Sequence, residues 1–251
     1  MTYMANLSGV ILTRNEEKNV SDCIKSLDFC SEIIIIDDFS DDNTRSIARR
    51  FGAKVYKRRM KKNFAEQRNF GLNKANGDWV LFVDADERVG EELKKEIGEE
   101  LKKGGKNGYF VPRLDTVWDR KLKHGETGNL KLLRLGRKDS GKWRRRVHEA
   151  WEIKGQVGEL MNPLFHYPHT TLGEFIDELN WMTTLHAEEN SAEGKYSGLG
   201  KILMFPLGKF VNNYFLKLGF FDGMPGFVVS VVMSFHSFLS WSKLWLLQNR
   251  K

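Results

Sequence analysis

Glu32-Ile33-Ile34-Ile35-Ile36-Asp37-Asp38 is the stretch on which the fold turns. Four consecutive isoleucines leave no polar face, so the segment reads as a strand covered on both sides, as in a parallel sheet packed between helices. Two carboxylates close it. Upstream, Ser8–Leu12 reads as a first strand, and Val20, Cys23, Ile24 and Leu27 then recur at the i, i+3, i+4, i+7 spacing of a buried helix face. Downstream, a helix is predicted from Asp42 to Phe51, with Gly52 where a left-handed stop is needed. Lys54–Tyr56 is a short third strand. Asn63 and Glu66 have the spacing of a capping box that opens a helix running to about Ala75, and Trp79–Val83 makes a fourth strand. Repeated strand–helix alternation predicts an α/β fold with a mostly parallel, Rossmann-like sheet and flanking helices. Ligands of such sheets sit beyond the carboxyl ends of the strands.

Two acidic clusters fall there. Asp37-Asp38 ends the isoleucine strand and Asp84-Ala85-Asp86-Glu87 ends the fourth. Two residues apart, Asp84 and Asp86 can jointly hold a hard cation, Mg²⁺ or Mn²⁺, whose shell is completed by substrate phosphate oxygens. Asp is also a common turn former and helix cap, which fits Asp41 and Asp42 and competes for Asp37.

Four motifs occur in order: Leu12-Thr13-Arg14-Asn15-Glu16-Glu17, Ile36-Asp37-Asp38-Phe39-Ser40-Asp41-Asp42-Asn43-Thr44, Ala65-Glu66-Gln67-Arg68-Asn69 and Phe82-Val83-Asp84-Ala85-Asp86-Glu87. Together they resemble the family 2 glycosyltransferases of GT-A fold, most nearly the bacterial β-1,4-glucosyltransferases of the lipopolysaccharide inner core. The resemblance covers nearly the whole chain. It implies an inverting, metal-dependent transfer of a hexose from a UDP-sugar to a glycolipid or lipopolysaccharide-core acceptor. It also implies roles: Asp38 against the uracil, Thr13, Asn15 and Glu16 lining the nucleotide pocket, Arg68 near the donor phosphates, and Asp84 and Asp86 as the metal motif, with Asp86 the more direct ligand. A departing nucleoside diphosphate develops negative charge, which a divalent cation and Arg stabilise.

An inverting transfer needs a general base. Glu149, in Trp143-Arg144-Arg145-Arg146-Val147-His148-Glu149, is the leading candidate, with Asp115 and Asp119 as fallbacks. The His-Glu pair resembles an element of the related bacterial enzymes, although others carry two acids there. His148 can be a substrate ligand, an orienting group or structural. Arg146 and its neighbours can grip phosphates, or lie solvated on a strand. His166-Tyr167-Pro168-His169 is a poor zinc site, because no Cys accompanies it and Pro168 breaks a helical face.

The chain has 251 residues and a formal charge of +7. An anionic partner follows, whether nucleic acid, phosphate-rich substrate or acidic membrane face; no nucleic-acid-binding motif is present. Two cysteines make no disulfide scaffold, and Met1–Asn6 lacks the pattern of a signal peptide, so a cytoplasmic setting is expected. Beyond Thr171 the chain turns helical and aromatic, and Leu203–Leu247 is apolar with few charges. Lys201, Lys209, Lys217 and Lys243 interleave with this stretch, and Trp241 and Trp245 lie near its end. That mixture suits helices lying peripherally on the inner face of the cytoplasmic membrane, or alternatively a helical pair packed on protein. The division expected is a catalytic domain over 1–170 and a helical, membrane-associating region over 171–251. Competing readings are a haloacid-dehalogenase-type phosphatase, whose Asp-x-Asp normally follows an early strand, and a non-catalytic membrane scaffold. Neither Gly-x-Gly-x-x-Gly nor a P-loop occurs.

Overall fold

The isoleucine strand lies deep in a sheet. In the computed structural model, which describes residues 6–128, 130–146, 149–168 and 171–249, it forms β2 (Glu32–Asp37), and Ile34, Ile35 and Ile36 are fully buried. Each contributes about 1.5–3 kcal/mol on leaving water. β2 runs parallel to β1 (Leu7–Thr13) on one side and β3 (Lys54–Lys57) on the other, and β1 runs parallel to β4 (Trp79–Asp84). The helices between them are α1 (Val20–Ser26), α2 (Thr44–Arg50) and α3 (Phe64–Lys74). After β4 come β5 (Glu87–Val89) and α4 (Glu91–Lys103).

The period of two along each strand sorts the core into two layers. Ile11, Ile35, Leu81 and Val83 pack with Val20, Cys23, Ile24 and Leu27 of α1 and with Leu93 and Ile97 of α4. Val10, Ile34, Ile36, Val80 and Phe82 pack with Ala65 and Leu72 of α3 and with two tryptophans from later strands. Gly71 lets α3 approach: a Cβ there would sit 2.6 Å from Val10 Cγ1. Gly52 takes φ 81°, the left-handed stop that the sequence requires after α2.

The capping differs in detail. Asn63 Oδ1 accepts from the Glu66 amide at 3.1 Å, but Glu66 returns to the Asn63 side-chain amide rather than to its backbone. The backbone N–H of Asn63 already donates to Met60 O at 3.0 Å.

The strands that the sequence leaves obscure are largely antiparallel additions to the same sheet. They are β6 (Gly108–Val117), β7 (Arg120–Leu122), β8 (Lys131–Arg137), β9 (Gly141–Arg144), β10 (Ala150–Ile153), β11 (Val157–Glu159) and β12 (Leu164–His166). The sheet order is β3-β2-β1-β4-β8-β6-β12-β5, with β7 and β11 also on β6, and β9 and β10 form a separate hairpin. The remaining helices are α5 (Leu172–Ala192), α6 (Leu199–Val211) and α7 (Gly223–Gln248).

Two compact units result: Met1–Arg113 with Lys131–His166, and Leu114–Leu130 with Tyr167–Lys251. The excursion Leu114–Leu130, which the sequence reading places inside the catalytic domain, groups with the C-terminal helices. Its Val117 and Leu122 pack with Val229 of α7, the His124 amide donates to Asp222 Oδ2 at 2.8 Å, and Glu126 pairs with Lys209 at 2.7 Å. Cys23 and Cys30 are free, buried thiols of the first unit, and burial pushes both well above the ordinary thiol value.

Candidate active site

Register carries the acidic motifs together. Thr13 lies opposite Asp37 and Leu12 opposite Asp84, so the carboxyl ends of β2, β1 and β4 stand side by side in the first unit. Asp37 is the fully buried anchor. It accepts from Thr13 Oγ1 at 3.2 Å and from the Ser40 amide at 3.0 Å, with the Ser40 hydroxyl and Arg45 also against it. Asp38 is the next step outward: its amide donates to Thr13 O, and its carboxylate accepts from the Met60 amide at 3.1 Å and meets Arg14 at 3.5 Å.

Three loops thereby converge, after β1, β2 and β3. Asn15 adopts φ 57°, a left-handed conformation that Asn tolerates; its amide donates to Ser40 Oγ at 2.9 Å and its Oδ1 accepts from the Asp41 amide at 2.8 Å. The Glu16 amide donates to Thr44 Oγ1 at 2.7 Å, while its carboxylate accepts from Asn19. Phe39 also takes a left-handed φ of 53°, unusual for a bulky residue, and its exposed ring lies under Arg59 at 4.6 Å and Lys57 at 5.3 Å. The cap position of α2 falls to Asn43, which makes no side-chain cap bond, rather than to Asp41 or Asp42; Asp42, one residue earlier, accepts from the Thr44 amide through Oδ1 at 3.0 Å.

A second cluster is built on the buried face of α3. Arg68 is only 4 % exposed, so its charge is met by protein rather than water. Its Nε donates to Glu149 at 2.7 Å and its Nη2 to Asp84 at 2.9 Å, and the guanidinium lies over Trp143 at 4.9 Å. Trp143 stacks on Trp151, and both pack edge-on against Phe82, which fixes the plane on which Arg68 rests. Arg134 of β8 closes the cluster from the other side, pairing with Asp84 and reaching Glu87 at 3.4 Å. Burial alone would raise the Asp84 carboxyl, but Arg134 and Arg68 hold it well below the usual carboxylate range. Burial pushes the Glu87 carboxyl upward, with Asp84 adding to that against the pull of Arg134.

Asp86 faces elsewhere. Antiparallel pairing of β12 with β5 sets His166 opposite Glu87, and His166 Nε2 comes within 3.2 Å of Asp86 Oδ2. The two aspartates of the motif therefore have different partners, Asp84 two guanidiniums and Asp86 an imidazole. Among the described residues no group of three or more His, Cys, Asp or Glu is placed to hold a metal ion. An Asp–His pair does fit a cation whose remaining positions are filled by substrate oxygens.

Thr13, Asn15, Glu16 and Asp38 thus share the converging loops, and Arg68, Asp84 and Glu149 share one ion network. Arg146 is exposed, its carbonyl accepting from the Phe64 amide at 3.0 Å. His148 and His169 lie outside the described residues. Asp115 and Asp119 belong to the second unit. Arg134 escaped the sequence reading; its one signal is a lone charge within Leu132-Leu133-Arg134-Leu135.

The model of glycosyl transferase family 2 matches residues 8–152, the stretch that contains both clusters. The chain belongs to glycosyltransferase family 2. That membership sets aside the phosphatase and scaffold readings. The glycosyltransferase is 27% identical over 247 residues to the lipopolysaccharide core biosynthesis glycosyltransferase LpsC of Rhizobium meliloti, covering 95% of this chain and 92% of LpsC. It is 25% identical to an uncharacterized glycosyltransferase of Rickettsia typhi, covering 96% and 87% of the two chains. Among solved structures, residues 1–349 of S. aureus TarS in complex with UDP superpose with a TM-score of 0.52 at 14% identity, covering 97% of this chain and 90% of that one. At that identity the likeness is one of fold, and it is the GT-A-like fold that the sequence predicts.

Proposed function

We propose that this glycosyltransferase moves a hexose, with inversion, from a UDP-sugar to a lipopolysaccharide-core or related glycolipid acceptor on the cytoplasmic side of the membrane. The observation that carries the reading is the ion network of Arg68, Asp84 and Glu149, set within the matched family region at the same strand ends as the loop cluster that holds Asp38. The acceptor class is supported by the likeness to LpsC over nearly the whole of both chains.

Asp38, held by the Met60 amide and Arg14, offers a carboxylate to the N–H edge of a uracil. Thr13, Asn15 and Glu16 shape the loop beside it. Arg68 and Arg134 fix Asp84 as an anion and hold it in place, so Asp84 acts here as a positioning group. Asp86 and His166 are the two protein ligands that would hold Mn²⁺ or Mg²⁺. When bound, that cation supplies charge stabilisation for the departing diphosphate. Glu149 is oriented through Arg68 Nε and takes the proton of the acceptor hydroxyl as that oxygen attacks the anomeric carbon from the face opposite the leaving UDP. Orientation of the base by a buried guanidinium contributes through geometry, since a near-attack arrangement lowers the barrier.

Calorimetric titration with UDP and UDP-glucose, with and without Mn²⁺, tests the donor half. Metal-dependent binding is expected, weakened about tenfold or more by Asp86→Ala and by Asp38→Ala. No binding of any nucleoside diphosphate in either condition would sink the reading.

A further inference from the structure

The second unit carries a surface whose chemistry the transfer itself does not use. No residue of α6 is buried. Leu199, Leu203, Leu207 and Val211 recur every four residues and, with Met204, make one outward face; Leu199 is 72% and Leu207 62% exposed. Helices on water-facing surfaces turn polar residues outward. This one does the reverse. Both its lysines lie off that face and are engaged, Lys201 over the Trp241 ring at 4.7 Å and Lys209 with Glu126.

α7 repeats the pattern along its length. Met224, Phe227, Val231, Phe235 and Phe238 are all exposed and fall at spacings of three and four, a single stripe on one side of the helix. Phe227 meets Phe210 at 6.1 Å and Tyr214, in the π-helical turn Asn212–Leu216, at 5.5 Å, so the two apolar faces adjoin at this end. An apolar area of this extent marks a docking surface. Charge selects the occupant. Between Gly194 and Asn249 there are five lysines and one acid, Asp222, which is buried against His124; Lys195 and Lys209 pair with Glu193 and Glu126 from outside that stretch, and Lys201, Lys217 and Lys243 keep it net cationic. A second copy would set lysines against lysines, whereas an anionic leaflet neutralises them.

We infer that α6 and α7 dock on an anionic phospholipid bilayer, lying in the plane of its headgroup region. The inference deepens the proposed transfer, on which it rests for its purpose, by assigning the surface that would bring the chain to a lipid-linked acceptor. The apolar segment Gly219–Gln248 is long enough to cross a bilayer. Its other side, however, packs on α5, which exposes Glu174, Asp177 and Glu178. A spanning α7 would draw those carboxylates into hydrocarbon, which is strongly unfavourable; an in-plane helix leaves them in water.

Co-sedimentation of the full chain with phosphatidylglycerol–phosphatidylethanolamine vesicles, and with phosphatidylcholine vesicles, tests this. Wild type should pellet with the anionic vesicles and bind the neutral ones about tenfold less tightly. Leu203→Glu/Leu207→Glu should reduce anionic-vesicle binding by about the same factor or more while keeping the wild-type affinity for UDP. If that pair misfolds, shown by lost UDP binding, Met204→Glu alone carries the same expectation. Wild type left in the supernatant, or folded variants that bind vesicles normally, would overturn the proposal. So would a vesicle-free dimer that the variants dissociate with no vesicle binding at all. Resistance of the membrane-bound chain to alkaline carbonate would replace the in-plane helix by a spanning one. Failure of wild type to bind UDP, with vesicle binding intact, would remove the donor reading and leave this surface standing.

Discussion

Arg134 meets Glu87 where little water is left to share the charge, since Glu87 is fully buried and Arg134 nearly so, while Asp84 on its other side stays partly exposed. Removing one partner of such a cluster leaves an uncompensated buried charge. Arg134→Met should therefore cost about 3 kcal/mol or more in urea unfolding, and adding Glu87→Gln should recover part of it by removing the stranded carboxylate. A single-variant cost below about 1 kcal/mol would show that the cluster is not a structural unit. Asp84 was legible from sequence as one of two acids ending a strand, but its partners were not. Arg134 reaches it only because β8 returns antiparallel beside β4, with Leu81 opposite Leu135, and no local pattern states that pairing. For the same reason Asp86 could be read as a cation ligand and His166 singled out in its own stretch, but not the pairing of the two, because His166 arrives 80 residues later on β12.

The elements obey their local signals best where the chain alternates strand and helix. β1 to β4 and α1 to α3 lie within a residue or two of the patterns that announce them. Beyond β5 the strands range from three residues in β7, β11 and β12 to ten in β6, and their partners lie far off in sequence, as β4 does for β8 and β5 for β12, so periodicity says little. At the other edge of the parallel sheet, Glu32 at the start of β2 joins four elements: it accepts from Ser8 of β1, Lys54 of β3, and the backbone and side chain of Asn76 ahead of β4. Burial would raise its carboxyl, but these donors bring it down to about 2 from an ordinary value near 4.5. A depressed folded-state value means stability that is present above pH 4.5 and is lost as the pH falls toward 2, worth up to about 3 kcal/mol. Urea midpoints of wild type and Glu32→Gln should differ most at neutral pH, draw together below pH 4.5 and converge near pH 2. A gap that does not narrow on acidification would show that the network works through shape rather than charge.

At the scale of the molecule, the second unit is assembled from two separate stretches of chain. A truncation after residue 168 would leave Val117 and Leu122 without Val229, and Glu126 without Lys209. It should aggregate or unfold at markedly lower urea than the full chain. Joining Arg113 to Lys131 through a two-residue turn should restore solubility to the shortened chain, since Pro112 and Lys131 already face each other across β6 and β8. A simple truncation as stable as the full chain, by the same urea assay, would contradict this. The two-part construction also constrains how such genes can be shuffled. A single crossover between two relatives, placed anywhere between the excursion and α5, would marry one parent's Leu114–Leu130 to the other parent's helices. Recombinants of that kind should be selected against, so tails would pass between lineages only when the excursion travels with them.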